Sequence, residues 1–142
     1  MENIVEGLKG NLGSGKNLVI ISETDLQGNI LTANDPFCAI SGYRRDELIG
    51  SPHNIIRHPT MPKELFKQLW ATIQRGDVFR AIIKNRAKDG NHYWVNATIM
   101  PVFHGGEIVR YVGGRHLILD ENFAEDQFKK QMSNLGVKWS GK

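Results

Sequence analysis

Residues 78–118 read VFRAIIKNRAKDGNHYWVNATIMPVFHGGEIVRYVGGRHLI, and this stretch decides the fold. It holds three runs rich in β-branched and aromatic residues, Val78 to Ala87, His92 to Phe103 and Glu107 to Ile118. Between them lie Lys88-Asp89-Gly90-Asn91 and His104-Gly105-Gly106, both short and built from residues that tolerate the positive φ of tight hairpins. Three strands joined by two tight turns form an antiparallel meander.

Upstream, Val19 to Ser22 and Ile30 to Ala33 are short β-rich runs separated by Asp25-Leu26-Gln27-Gly28-Asn29, which predicts a hairpin. Asn34-Asp35-Pro36 supplies a polar cap and an early proline for a helix that stops at Ser41-Gly42-Tyr43. Arg44 to Ile49 predicts a second short helix, closed by Gly50. His53 to Met61 should be irregular, because Pro52, Pro59 and Pro62 each remove a backbone donor. From Pro62 to Gln74 the apolar residues Leu65, Phe66, Leu69, Trp70 and Ile73 recur at helical spacing, with Gly76 just beyond.

The two ends carry weaker patterns. Ile4, Val5 and Leu8 suggest a short amphipathic helix before the glycine-rich Gly10 to Lys16. Beyond Asp120, Phe123, Phe128 and Met132 stand among charges up to Gly136, which reads as an appended helix rather than core. The expected organisation is a lead-in over residues 1–17, one domain over 18–119 and a C-terminal helix or linker over 120–142. The fold class is α+β: two strand blocks sharing one antiparallel sheet, helices covering one face, and a ligand cleft between the two layers.

A chain of 142 residues suits one such domain, and 40% hydrophobic with 23% charged residues is ordinary for a globular protein. The longest apolar runs, such as Leu18 to Ile21, fall far short of the roughly 18 residues that a membrane span needs, and Met1-Glu2-Asn3 does not open a secretory signal. The cytoplasm is the expected compartment. One cysteine, Cys38, excludes an internal disulfide and a multi-cysteine zinc site. A net charge of +3 without a basic stripe argues against nucleic acid as a partner.

Among possible chemistries, Gly10 to Lys16 matches the glycine and lysine spacing of a phosphate-binding loop, but Asn17 stands where a magnesium-binding Ser or Thr belongs. The required strand-before, helix-after context is also reversed. Five histidines show no helical metal-ligand spacing, so no metal is expected, although an axial haem histidine has no spacing rule to fail. No nucleophile motif is present, and no enzyme activity is expected. What remains is Arg57-His58 in a proline-braced loop, with Asn34, Asn85 and Asn96 and the aromatics Phe66, Trp70, Phe79, Tyr93 and Trp94. A planar guanidinium, amides and aromatic faces suit a planar, anionic ligand.

The segments Asp25 to Ile30, Ala33-Asn34-Asp35-Pro36-Phe37, Ser41-Gly42-Tyr43 and Asp46 to Gly50 resemble the first half of a PAS sensory domain. His53-Asn54-Ile55-Ile56-Arg57-His58-Pro59, Met61-Pro62, Val78-Phe79, Lys84-Asn85-Arg86 and Gly90 to Val95 resemble its FAD-binding branch, typified by the bacterial aerotaxis receptor. The resemblance spans about residues 18 to 118. It implies a five-stranded antiparallel sheet flanked by helices, with FAD held non-covalently and its redox state serving as the signal. On the matching positions it places Asn34, Arg57, His58, Phe66, Phe79 and Asn85 as flavin-binding residues.

Two positions depart from the family pattern: Thr60 replaces the usual acidic residue, and Phe79 replaces a tryptophan, keeping a stacking face but losing the indole donor. Gly50-Ser51-Pro52-His53-Asn54 supplies no thiol where light-sensing relatives carry their reactive cysteine, which sets flavin-cysteine photochemistry aside. The implied function is redox, oxygen or energy sensing for aerotaxis or chemotaxis. The implied partners are a second copy of the chain in a homodimer and a chemotaxis-type transducer or output domain. The alternatives are a PAS dimerisation module without flavin and a haem-binding gas sensor.

Overall fold

The computed structural model describes residues 18–139. The expected N-terminal helix and the glycine-rich Gly10 to Lys16 lie outside the described residues. Five strands, β1 (Val19–Thr24), β2 (Ile30–Ala33), β3 (Phe79–Arg86), β4 (His92–His104) and β5 (Glu107–Ile118), form one antiparallel sheet in the order β2-β1-β5-β4-β3. The meander therefore closes onto the first hairpin through β1 and β5, with Val19 opposite His116 and Thr24 opposite Tyr111.

Between β2 and β3 come α1 (Asp35–Ser41), α2 (Arg45–Leu48), a 3-10 turn at His53–Ile56 and α3 (Lys63–Gln74). Asn34 caps α1 by accepting from the Phe37 N–H, and Gly42 ends it in the left-handed conformation. In α3, Leu65, Leu69 and Ile73 are buried on one face, as their spacing predicted. The irregular run expected from His53 onward is partly ordered as the 3-10 turn, because Pro52 and Pro59 lie outside those four residues and the Pro52 carbonyl accepts from the Ile55 N–H.

The β1–β2 turn depends on two residues. Asp25 accepts from the Gln27 and Asn29 N–H groups through Oδ1, closing the loop on itself. Gly28 adopts φ +89°, and a Cβ there would meet the Trp70 indole at 2.9 Å. Both the backbone and the helix above therefore exclude a side chain.

Strand alternation sends Ser22, Thr24, Ile83, Asn85, Val95, Ile99, Tyr111, Gly113 and Arg115 toward the α1–α3 layer. The opposite face is covered at the β3–β4 end by α4 (Glu121–Leu135), capped by Asp120 and ended by Gly136. This helix is not an appendage: Ala124, Phe128 and Met132 are fully buried in the core. Phe128 packs against Trp94 at 5.5 Å between ring centroids and against Trp139 at 4.5 Å. The charged residues that suggested an appendage lie on the outward side of a helix with one apolar stripe, which composition alone does not separate from a free helix.

Two polar ties complete the attachment. The Gln131 side chain accepts from the Ile82 N–H at 2.6 Å and donates to the Ile82 carbonyl at 2.9 Å. The Trp139 indole N–H donates to the Thr60 carbonyl at 3.1 Å. Among the described residues no helix is long and apolar enough to cross a membrane.

Candidate functional site

A cavity of about 240 Å³ opens between the sheet and the helical layer. Its floor is the inward face of β1, β3, β4 and β5, its roof is Phe66, Leu69, Trp70 and Ile73 of α3, and one rim is the segment from Pro52 to Arg57. Trp70 meets Tyr111 edge to face, with ring centroids 5.7 Å apart.

At the β3 edge, the Arg57 Cζ stands 3.7 Å from the centroid of the Phe66 ring, a cation–π contact. The Arg57 Nε is buried and has no hydrogen-bond partner among the described residues. Burial holds the guanidinium pKa below its usual value. Asn85 lies beside it, nearly inaccessible on its own, and pairs with Arg57 through an isolated antiparallel bridge.

At the other side of the floor a second guanidinium is enclosed. Arg115 donates through Nη2 to the Ser22 Oγ at 2.9 Å and to the His53 Nε2 at 2.8 Å. His53 is thereby an acceptor at Nε2, and burial together with the Arg115 charge pushes its pKa down to about 3, so the ring is neutral. Burial also lowers Arg115 to about 10, which leaves it cationic at neutral pH. None of the described residues lining the cavity is a carboxylate. The cavity is therefore cationic at two places, with an apolar roof and amide and hydroxyl groups between, a chemistry suited to a planar ligand with an acceptor-rich or anionic edge.

Of the residues singled out in the sequence, Arg57, Phe66 and Asn85 meet in this cavity, and Trp70 joins them. Asn34 does not line it. Its side chain accepts from the Phe37 and Ile21 N–H groups and donates to the Val19 carbonyl, fastening α1 to β1 with every polar atom engaged. His58 also lies off the lining: its Nδ1 accepts from the Thr60 N–H at 3.1 Å and sits 2.7 Å from the Thr60 Oγ1, while its ring meets that of His92 at 6.1 Å. Thr60, in place of the family's acidic residue, thus holds His58 through a hydroxyl.

Phe79 is buried at the start of β3, on the inward side but two register steps beyond Ile83, outside the cavity lining. Trp94 and Asn96 fall on the opposite face, Trp94 under Phe128 and Asn96 exposed. Arg115, Ser22 and Tyr111 escaped the sequence reading. Strand parity held the signal, since an arginine in phase with Tyr111 and Gly113 is directed inward once the meander is laid out.

Residues 30–114 match the PAS fold family. Over 105 residues, 74% of the chain, the sequence is 46% identical to the aerotaxis receptor of Escherichia coli, covering 21% of that protein. A biofilm dispersion protein of Pseudomonas aeruginosa is 35% identical over 63% of the chain and 22% of its own length. The chain thus spans about a fifth of the length of each of these two relatives. Among solved structures, a light-oxygen-voltage domain studied with a flavin analogue superposes with a TM-score of 0.74 at 20% identity, covering 93% of this chain and 96% of that one. The dark structure of the Aureochrome1 light-oxygen-voltage domain does so with 0.73 at 21% identity, over 81% and 86%. The five-stranded order, the helical roof over its cavity and the sequence match agree: this chain belongs to the PAS fold family.

Proposed function

We propose that residues 18–119 bind FAD non-covalently and act as a redox or energy sensor whose output serves aerotaxis or chemotaxis. The observation that carries the reading is the Arg57 guanidinium over Phe66 at the cavity wall, with a buried donor left open and no carboxylate in the lining among the described residues. Its family resemblance to an aerotaxis receptor supplies the direction. A cavity of about 240 Å³ is smaller than the roughly 300–1,000 Å³ of pockets that enclose drug-sized ligands. It suits a ring system, with the dinucleotide tail outside.

Flavin, when bound, supplies reversible electron uptake. The chain's part is to enclose the ring, present donors to its polar edge and exclude water beneath Leu69, Trp70 and Ile73. Asn85 contributes an amide beside Arg57. Asn34, His58 and Phe79 act from behind, Asn34 by fixing α1 to β1, His58 by bracing the loop through Thr60, and Phe79 by packing the start of β3. Arg57 is joined to the outer face through Thr60, whose carbonyl holds Trp139. A change of packing at Arg57 thereby reaches α4, the route to an output domain in this or another chain. A homodimer working on the cytoplasmic side belongs to the same reading.

The test is to purify the chain, record its visible spectrum and release the chromophore by heat. Released FAD, with reversible bleaching on reductive titration, is the expected result. A protein that stays colourless after incubation with FAD would overturn the reading in favour of an interaction module, and a haem spectrum would turn it toward gas sensing.

A further inference from the structure

His58-Pro59-Thr60-Met61 is a tight turn that ties three parts of the molecule together. The His58 carbonyl accepts from the Met61 N–H at 3.1 Å, and the imidazole folds over the same turn, its Nδ1 accepting from the Thr60 N–H at 3.1 Å and lying 2.7 Å from the Thr60 Oγ1. The Met61 sulfur accepts from the Lys84 N–H of β3 at 3.4 Å, and the Thr60 carbonyl accepts from the Trp139 indole at 3.1 Å. Arg57 of the cavity rim immediately precedes the turn.

A ring nitrogen that accepts from a backbone N–H carries no proton, so this arrangement exists only for the neutral imidazole. Protonation sets an N–H at Nδ1 against the Thr60 N–H, donor against donor, and one of them must leave. Pro59 has its φ fixed by its ring, so the movement falls on Thr60. The surroundings oppose the cation too. Lys84 and Arg86 of β3 and His92 of β4 face the ring, and Arg57 stands beside it in the loop. Glu121 of α4 is engaged by the His92 Nε2 at 2.8 Å rather than by His58. Burial, followed by the charges of Lys84, His92 and Arg86, holds His58 below its ordinary pKa.

We propose that His58 is a proton-operated latch: neutral, it holds Thr60 where the Thr60 carbonyl tethers Trp139, and protonated, it drops the Thr60 N–H and lets the tether to the C-terminal segment open. The proton binds the open form better than the closed one, so acid shifts the population toward release. The latch is closed at neutral pH and opens progressively as pH falls below about 6.5. His58 lies off the cavity lining, so the latch needs no ligand in the cavity. Acid thereby acts on the segment that ends α4 by a route separate from the ligand site.

The experiment measures, by NMR on the full chain, the hydrogen-exchange protection factors of the tryptophan indole N–H groups near pH 7.5 and pH 5, with the Trp139 peak assigned by Trp139→Phe. Protection of Trp139 should fall about tenfold in acid, while that of Trp94, enclosed under Phe128, stays unchanged. His58→Asn places an amide oxygen where it accepts from the Thr60 N–H and does not titrate, so its Trp139 protection should be the same at both pH values. His92→Gln should respond as wild type does. The proposal is overturned by wild-type Trp139 protection that ignores pH, by an equal fall in His58→Asn, by a parallel fall at Trp94, which marks general loosening, or by loss of the response in His92→Gln, which assigns it to the His92–Glu121 pair. If His58→Asn does not fold, the wild-type titration decides: the His58 Cε1–H and the Trp139 indole must share one midpoint, and separate midpoints refute the latch.

Discussion

The Cζ of Arg57 lies 3.7 Å from the centroid of the Phe66 ring, so the loop after the 3-10 turn is coupled to the first turn of α3 through one side-chain pair. Such a contact contributes about 0.5–1 kcal/mol when exposed and about 2 when desolvated. Arg57→Ala should therefore lower folding stability by about 1 kcal/mol in urea titrations while raising the FAD dissociation constant about tenfold or more, since a charged donor to the ligand goes as well. Arg57→Lys should recover little of the affinity, because an ammonium lacks the planar face and the open Nε. Equal FAD affinity in all three proteins would remove Arg57 from the site.

Gly28 makes a separate prediction about the roof. Alanine there must adopt φ near +89° and place its methyl 2.9 Å from the Trp70 ring. Left-handed strain and overpacking each cost roughly 1 kcal/mol or more, so Gly28→Ala should lose about 2–3 kcal/mol by chemical denaturation. Adding Trp70→Phe, which removes the clashing benzo ring, should restore the steric share but not the strain. A double variant no more stable than Gly28→Ala would show that the close approach is not what reserves this position for glycine.

The neutral His53 makes stability depend on pH with a definite sign. Its pKa is lowered from 6.5 to about 3 in the folded state, so the unfolded chain takes up a proton first as the solution is acidified. The stabilisation is complete above about pH 6.5 and is lost progressively as pH falls toward 3. Between pH 7 and pH 5 this group alone should lower stability by about 2 kcal/mol. His58, held below its usual value by burial and then by Lys84, His92 and Arg86, acts in the same direction. In His53→Gln the difference between urea titrations at the two pH values should shrink by about the His53 share, and an unchanged difference would assign the pH dependence elsewhere.

Gln131 closes the outer edge of β3 with a side-chain amide in place of a strand. Its two hydrogen bonds to Ile82 are contributions of about 1 kcal/mol each, and losing the partner of a backbone N–H costs about 1–3 kcal/mol where water cannot replace it. Gln131→Leu keeps the bulk and removes the amide. It should destabilise the chain by about 1–2 kcal/mol and accelerate hydrogen exchange at the Ile82 amide specifically, an outcome that a simple loss of helix packing would not give.

Strand runs and turn chemistry made the sheet legible from sequence, because hairpin turns and β-branched alternation are local properties. That the two strand blocks share one sheet was legible from the order of elements, but the β2-β1-β5 pairing was not, since no local residue reports which distant strand lies alongside. The candidate site divided in the same way. Arg57, Phe66 and Asn85, singled out by residue type and again by the family resemblance, reach the cavity. Asn34 shares that chemistry, but a residue one step before a helix can use all its polar atoms on backbone groups, and it does. Arg115 went unnoticed among strand residues, its meaning set by which face of β5 it occupies. The helix after Asp120 was read as an appendage because its charges were visible in sequence and its partner Trp94 was not.

Trp139 reaches across the β3 edge to the Thr60 carbonyl, three residues after Arg57. Where a shortened chain stops therefore decides what is being studied. A fragment ending at Leu119 would keep every residue of the cavity wall yet lose the outer tether of its rim and the cover over Trp94. Ligand affinities measured on such a fragment would belong to a looser molecule, and an edge strand stripped of Gln131 would invite pairing with its neighbours in solution.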